Sequence, residues 1–472
     1  MPSKGVEVYT YIAVPGCSIE LSVPKKTVVR HDVRAFQNED LEVDTKNIDS
    51  FFNKDGRFAF KVLRDGHTVT EQWVDVNALT GNLGDGTMKK IADTRSVLDG
   101  AGIIVSYGFY EAGGGHAGLP NRHQCYVTVT PNYATWMAQV APPGSPQADR
   151  PFRRLVLPAA HDIGMNSMEN CKAVLAHAGS AVITTLLKES KWAGQLADAV
   201  SSRAIEAIAP NIVSSLAITQ KDTLDTILQL GARYFEFRPA HCHEAVLPTK
   251  ALPDGLYFQH SAIPGMAYER FLDDIVRFLA AHPDEIVVVQ LRWDGVPDAC
   301  KRPLEQDLHA NVDAALAKIG HAVAVGTLDD LKGASIAQLR SDRKRLLVLV
   351  NVDALSTYTD EGNATLTGDS LVAGFGAALA PQKVDGKAFV NIQCQATATN
   401  LPGAVVVSVL EANASTSCLL ATKALCDAKT LPWVRDNALS ACGDKELVVV
   451  MNDFFDGATA DVAIELSRRR LG

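Results

Sequence analysis

The chain has 472 residues, 47% hydrophobic and 21% charged, an ordinary globular composition with room for two or three domains. A formal net charge of −9 argues against nucleic acid as a partner and does not favour a strongly anionic membrane, except through a local basic patch. The first seven residues lack the apolar core of a signal peptide, and no run of about 18 apolar residues exists to span a membrane, so a cytoplasmic location is expected, with peripheral membrane contact open. The nine cysteines are scattered, odd in number and without a Cys-x-x-Cys pair, which reads as reduced, mostly buried thiols. Cys418, Cys426 and Cys442 are close enough in sequence to leave a disulfide open.

Residues 1–140 read as short strands with turn chemistry between them. Val6–Ile12, Ile19–Val23, Phe58–Val62, Gly102–Tyr107 and Cys125–Thr130 carry the apolar and β-branched residues of strands, and several alternate with polar residues. Asp55-Gly56, Asp65-Gly66 and Gly113-Gly114-Gly115 mark turns or loops. No Lys-Ser/Thr follows the glycine run, so it predicts a plain loop rather than a phosphate cradle. The expectation is a β-sandwich without a catalytic set, serving accessory packing or targeting. Residues 141–150, opening Ala-Pro-Pro-Gly-Ser-Pro, stop both helix and sheet and predict a linker.

From residue 151 to 472, strands alternate with helical segments. The predicted strands are Leu155–Leu157, Tyr234–Arg238, Leu256–Gln259, Glu285–Leu291, Leu346–Val350, Ala388–Ile392, Ala404–Val409 and Leu447–Met451. A mostly helical insertion covers about residues 171–208. Asp222 is expected to N-cap a helix over Thr223–Leu230 that Gly231 ends. Tyr268–Ala281 carries a helical stripe, Phe271, Ile275, Phe278 and Leu279, read as core. Eight strands with intervening helices in about 320 residues predict a TIM-type (β/α)8 barrel behind the all-β domain, with its site at the C-terminal strand ends.

Those ends offer His161 and Asp162, Glu236 and Arg238, His260, Arg292 and Asp294, and Asn452 and Asp453. Two histidines on different strand ends can act as base and acid across one phosphorus. An arginine presents paired donors to nonbridging oxygens. A carboxylate such as Asp453 can fix a histidine tautomer. His241-Cys242-His243 lacks a second ligand pair, and adjacent residues on an extended chain point apart, so it is not read as a metal site.

Five motifs resemble the X domain of phosphatidylinositol-specific phospholipases C, in its bacterial, metal-independent form. They are Leu157-Pro158-Ala159-Ala160-His161-Asp162, Gly231 to Arg238, Gln259-His260-Ser261, Phe278 to Glu285, and Val449 to Phe454. The resemblance covers about residues 150–470 and not the N-terminal domain. It implies cleavage of an inositol phospholipid through attack of the inositol 2-hydroxyl, giving a cyclic phosphodiester. It implies His161 as general base held by Asp453, His260 as general acid assisted by Asp162, and Arg238 stabilising the phosphorane. It places Arg292 where the bacterial type has a lysine, so Arg292, with Glu236, is expected to bind substrate. It implies a phospholipid partner met transiently at a membrane surface.

Metal-dependent relatives carry a Glu-x-Asp on the second strand where this chain has Glu236-Phe237-Arg238. The guanidinium supplies the positive charge, so no metal and no other cofactor is expected. Three departures stand: Cys394 where the family has an aspartate beside the second histidine, Ser261 for a glycine, and Ala159-Ala160 for Gly-Thr. The rival readings are a metal-dependent glycerophosphodiester phosphodiesterase-like hydrolase and a non-catalytic lipid- or headgroup-binding barrel.

Overall fold

The structure, a computed structural model, describes residues 4–50, 52–100, 102–190, 202–359, 363–397, 403 and 417–472. The first 131 residues build two five-stranded sheets. One has the order Gln37–Glu42, Gly5–Ile12, His123–Pro131, Ile103–Tyr110, Val97–Asp99, and the other Lys26–His31, Cys17–Val23, Asp55–Arg64, His67–Asn77, Leu83–Gly86. Alternation decides what faces inward: Cys17–Val23 buries every second residue. Ile19, Leu21, Phe58, Phe60, Phe109 and Val127 fill the space between the sheets. All five strands read from the sequence are present.

The outer face of the first sheet packs on the C-terminal helix, Gly457–Leu471. Tyr11 donates to Asp461 at 2.7 Å, and a side chain at Gly457 would sit 2.0 Å from the Thr130 hydroxyl. A fully buried ion pair anchors the next layer. Arg233 meets Glu285 at 2.7 Å and donates to the carbonyls of Tyr133 and Ala134. The 141–150 stretch carries neither helix nor strand, and Arg340 donates to the carbonyl of Ala141.

The rest is a mixed α/β assembly around a seven-stranded parallel sheet. Its order is Ala324–Gly326, Lys344–Val350, Val287–Leu291, Tyr234–Phe237, Val156–Ala160, Leu447–Asn452, Phe389–Gln393. Continuous runs such as Val287-Val288-Val289 and Leu447-Val448-Val449-Val450 are buried throughout, as strands covered on both faces require. The pairing is in register, with Val156 opposite Val448 and Ala160 opposite Asn452.

The expected eightfold closure is not observed among the described residues. The Tyr257–His260 strand stands outside the parallel sheet. It forms a three-stranded antiparallel sheet with Pro239–Ala240 and Ile263–Ala267, so Tyr234–Phe237 pairs directly with Val287–Leu291. The reason is local: only Ser261 and Ala262 separate Tyr257–His260 from the next strand. That connection makes a hairpin, whereas a parallel neighbour needs a long crossover. Phe389–Gln393 likewise pairs directly with Leu447–Asn452, and the strand expected at 404–409 lies outside the described residues.

The sheet nevertheless curls. The rings of Tyr234 and Phe389, three strands apart in the order, lie 6.2 Å from each other. Backbone bonds from Ala388 to Leu355 (2.8 Å) and from Thr357 to Phe389 (3.2 Å) line residues 355–357 along the far edge.

The helix Tyr268–Ala281 matches its expected span. The helix before Tyr234 is shorter than expected, Leu224–Gln229, and Thr223 rather than Asp222 caps it, accepting from the Thr226 amide. Asp222 is held elsewhere: it accepts from the Ser96 amide and hydroxyl, each at 2.7 Å, and from Lys221 at 2.8 Å. All nine cysteines are free thiols and eight are buried. Among the described residues no helix is long and apolar enough to cross a membrane.

Candidate active site

The Val156–Ala160 strand delivers His161 and Asp162 to its C-terminal end, and Leu447–Asn452 delivers Asp453 beside them. Both turns off the sheet use left-handed backbone at residues other than glycine: Asp162 at φ 43° and Phe454 at φ 42°. Such conformations cost on the order of 1–3 kcal/mol and persist where surrounding bonds over-determine them. Here Thr219 supplies the bonds. Its hydroxyl donates to the Asp162 carbonyl at 3.0 Å, and its own carbonyl accepts from the Phe454 amide at 2.6 Å. Gln220 completes the brace, donating to the carbonyls of His161 and Asn452 and accepting from the amide of Phe455.

This brace brings His161 and Asp453 together, Nδ1 to Oδ1 at 2.7 Å. The other ring nitrogen, Nε2, faces the Tyr358 hydroxyl at 3.2 Å, Glu236 at 3.5 Å and Asp162 at 3.8 Å. Arg238 forms an ion pair with Asp162 at 2.9 Å through Nη1 and donates to the Tyr358 hydroxyl at 2.9 Å through Nη2. His260 approaches Asp162 from another side, Nε2 to Oδ2 at 3.4 Å. Glu236, fully buried, accepts the Asp162 amide at 3.0 Å.

All seven site residues expected from the sequence can therefore be placed. His161, Asp162, Glu236, Arg238, His260 and Asp453 form one contiguous cluster. Arg292 stands at its margin, where Asp294 takes its guanidinium at 2.9 and 3.1 Å and its plane lies 4.1 Å from the Tyr358 ring. Cys394 is buried in an apolar cluster behind the sheet, and its thiol is pushed up by desolvation. The carboxylate beside His260 is instead Asp162. In the His-Cys-His stretch, His243 accepts the Ala245 amide through Nδ1.

Tyr358 escapes the sequence reading. It lies eight residues past Lys344–Val350, in the polar run Ser356-Thr357-Tyr358-Thr359, with no periodicity to mark it. Its place on a loop leaving the C-terminal end of a parallel strand is the one signal that could have found it. Thr219 and Gln220 carry no such signal.

The charges are arranged unequally. Burial disfavours a charged His161, but Asp162, Asp453 and Glu236 outweigh it and raise the ring from its ordinary 6.5 to about 10. Burial opposes ionisation of Asp162 too, yet Arg238, His161 and His260 hold its carboxyl well below the usual range. Burial pushes the carboxyls of Glu236 and Asp453 up, and the His161 charge resists this. His161 must lose its own proton before it can take another, so in the ligand-free site this step belongs to alkaline pH.

Two consequences follow for pH. A raised histidine stabilises the fold fully below about pH 6.5, and the contribution is lost as pH rises toward about 10. In Glu236→Gln, one of the carboxylates holding the imidazolium is gone. The acid limb of kcat/KM is then expected at lower pH than in the wild type, in a profile taken from pH 5 to 10. A limb that does not move removes Glu236 from the electrostatics of His161.

His161, Asp162 and Glu236 also present ligand atoms within 4.8 Å of one another, a set that could hold a divalent cation. Arg238 already occupies one oxygen of that set, and its guanidinium would face any cation bound there.

No family model matches the chain, and no curated protein matches it. Among solved structures, the chain is similar to a single-site mutant of the phosphatidylinositol-specific phospholipase C from Staphylococcus aureus, with 12% identity and a TM-score of 0.40 over 71% of this chain and 96% of that one. A double mutant of the same enzyme gives 12% identity and 0.39 over 71% and 97%. A structure of that enzyme concerned with modulation of its membrane binding gives 13% and 0.40 over 71% and 97%. A likeness this shallow assigns no activity, and the reading of the site rests on its own geometry.

Proposed function

We propose that this chain is a phosphodiesterase of the phosphatidylinositol-specific phospholipase C type, built on a curled parallel sheet whose closure is not seen among the described residues and preceded by an accessory β-sandwich over residues 1–140. One observation carries the reading: two histidines and an arginine converge on Asp162, while Asp453 orients one of the histidines from the opposite side.

In the proposed reaction a neighbouring hydroxyl of the substrate, the 2-hydroxyl of an inositol ring, attacks phosphorus. His161 takes its proton at Nε2, with Nδ1–H donating to Asp453. In the resting imidazolium Nε2–H donates to the Tyr358 hydroxyl, which also accepts from Arg238; once the ring has lost that proton, the substrate hydroxyl takes the place of the Tyr358 hydroxyl at Nε2. Arg238 faces the charge that grows on the nonbridging oxygens. His260, held by Asp162, protonates the departing glyceride oxygen. The products are a cyclic phosphodiester and a diglyceride, and the substrate is met at a membrane surface.

The His161, Asp162 and Glu236 set favours one second reading, a metal-dependent phosphodiester hydrolase of the glycerophosphodiesterase kind. In it these three residues would hold a divalent cation that supplies Lewis acidity at the phosphoryl oxygen. Headgroup release from phosphatidylinositol vesicles, measured with and without excess chelator, separates the two. Release is expected to persist in chelator within about twofold. Loss in chelator with return on adding a divalent ion would establish the second reading. No release in either condition, with the protein still bound to the vesicles, would end the catalytic proposal in favour of a lipid-binding barrel.

A further inference from the structure

A cavity of about 430 Å³ lies between the first sheet pair and the parallel-sheet assembly. Residues 90–95 of the N-terminal part form one wall, and residues 166–172 and 210–221 form the other. Its cations are out of keeping with a chain of net charge −9. Lys90, Arg95, Lys172 and Lys221 line it against one carboxylate, Glu169. Lys221 is buried and neutralised by Asp222 at 2.8 Å. Lys90, Arg95 and Lys172 are exposed side chains, and none has an ion-pair partner among the described residues. Three exposed cations against the single carboxylate of Glu169 leave the cavity with an excess of positive charge, which an anion relieves.

The rest of the lining is mixed: the apolar Ile91, Met168, Pro210 and Ile218 lie among the polar Asn166, Ser167, Asn211 and Ser214. A cavity that offers both cations and apolar side chains to one occupant matches an amphiphile with an anionic head. Its floor includes Gln220, which also bonds the His161 carbonyl, so the cavity abuts the catalytic cluster from behind without sharing its side chains.

We infer that this cavity binds an anionic phospholipid, with the phosphate between Lys90, Arg95 and Lys172 and the start of the acyl chains against Ile91, Met168 and Ile218. The site is separate from the chemistry at His161, and the N-terminal sheets thereby contribute to lipid recognition. Binding is read without turnover, so the result is independent of the proposed phosphodiesterase activity.

The test uses the full chain and calorimetric titration with dihexanoylphosphatidylglycerol below its micelle concentration, with dihexanoylphosphatidylcholine and inorganic phosphate as comparisons. Phosphatidylglycerol is expected to bind the wild type and His161→Ala alike. The double variant Lys90→Glu/Arg95→Glu, altered at exposed positions, is expected to keep its thermal midpoint and bind about tenfold or more weakly, since two of the three cations facing the phosphate are reversed in sign. Equal affinity of wild type and double variant would overturn the site. So would loss of binding in His161→Ala, which would place the lipid in the catalytic cluster. Phosphatidylcholine binding as tightly as phosphatidylglycerol would remove the cationic head contact. Inorganic phosphate binding as tightly as the lipid would remove the apolar contacts and assign the site to free phosphate.

Discussion

His161→Ala is expected to lower kcat for phosphatidylinositol cleavage by about 10²- to 10⁴-fold, the range that a positioned general base supplies. Asp453→Asn should fall nearly as far, because the amide cannot accept Nδ1–H as a carboxylate does. Loss of such an orienting carboxylate can cost up to about 10⁴-fold by leaving the ring in the wrong tautomer. The two histidines are distinguished by the leaving group. From a nitrophenyl ester of inositol phosphate the nitrophenolate departs without protonation, so His260→Ala should recover most of its activity on that substrate. His161→Ala should not, since attack by the ring hydroxyl still requires a base. Kinetics of both variants on both substrates decide the assignment. Equal recovery, or recovery only of His161→Ala, would reverse or remove the roles. The His161→Asp453 bond predicts one more distinction: the double variant His161→Ala/Asp453→Asn should be no worse than His161→Ala alone, because a carboxylate that acts only through the ring has nothing left to orient.

The cluster was legible in the sequence because its charged residues lie within two positions of the C-terminal end of a strand rich in apolar residues. Val156 to Ala160 and Leu447 to Met451 could not be surface strands, so His161 and Asp453 had to emerge at the edge of a buried sheet. Glu236 and Arg238 are two residues apart, so alternation carries both to the same face at the end of the Tyr234–Phe237 strand. What the sequence could not specify was pairing. Leu256–Gln259 has the composition of a parallel-sheet strand, and its membership of a hairpin depends on the two-residue connection at Ser261 and Ala262, where Ser261 takes φ 57°. Serine there does not advertise a turn as glycine would.

The Ala324–Gly326 strand is three residues long, too short for periodicity to register. Asp222 failed as a cap for a different reason. Its carboxylate is drawn to donors on Ser96, 126 positions away, and no local pattern encodes that competition. Tyr358 belongs to the same class: its value comes from lying between Arg238 and His161, two residues from other strands. The compensation for Cys394 is likewise spatial. The carboxylate beside His260 comes from Asp162, next in sequence to the other histidine, so one carboxylate touches both histidines and the arginine.

That sharing makes Arg238 the most informative position in the cluster. Arg238→Ala removes the cation that the proposed reaction sets against the phosphorane and leaves Asp162 buried beside Glu236 with less compensation. Loss of one preorganised donor to a developing oxyanion costs about 10²- to 10³-fold in kcat, or about 2.7–4 kcal/mol. The Asp162 carboxyl should also lose part of what holds it ionised, which weakens its grip on His260, so the combined loss is expected at or above the upper end. Arg238→Lys keeps the charge but not the fork that reaches Asp162 and Tyr358 together, and it should restore only part of the activity. The decisive variant is Arg238→Asp. It writes a Glu-x-Asp onto the second strand and removes the cation that faces the His161, Asp162 and Glu236 set. If the native reaction uses Arg238 in place of a metal, Arg238→Asp should be inactive in chelator and gain both calorimetric divalent-ion binding and activity that depends on the added ion. If the native reaction already uses a metal, the wild type itself should bind that ion, and Arg238→Ala should keep ion-dependent activity close to the wild-type level. Titrating the same ion into wild type and both variants, with headgroup release measured alongside, separates the two mechanisms.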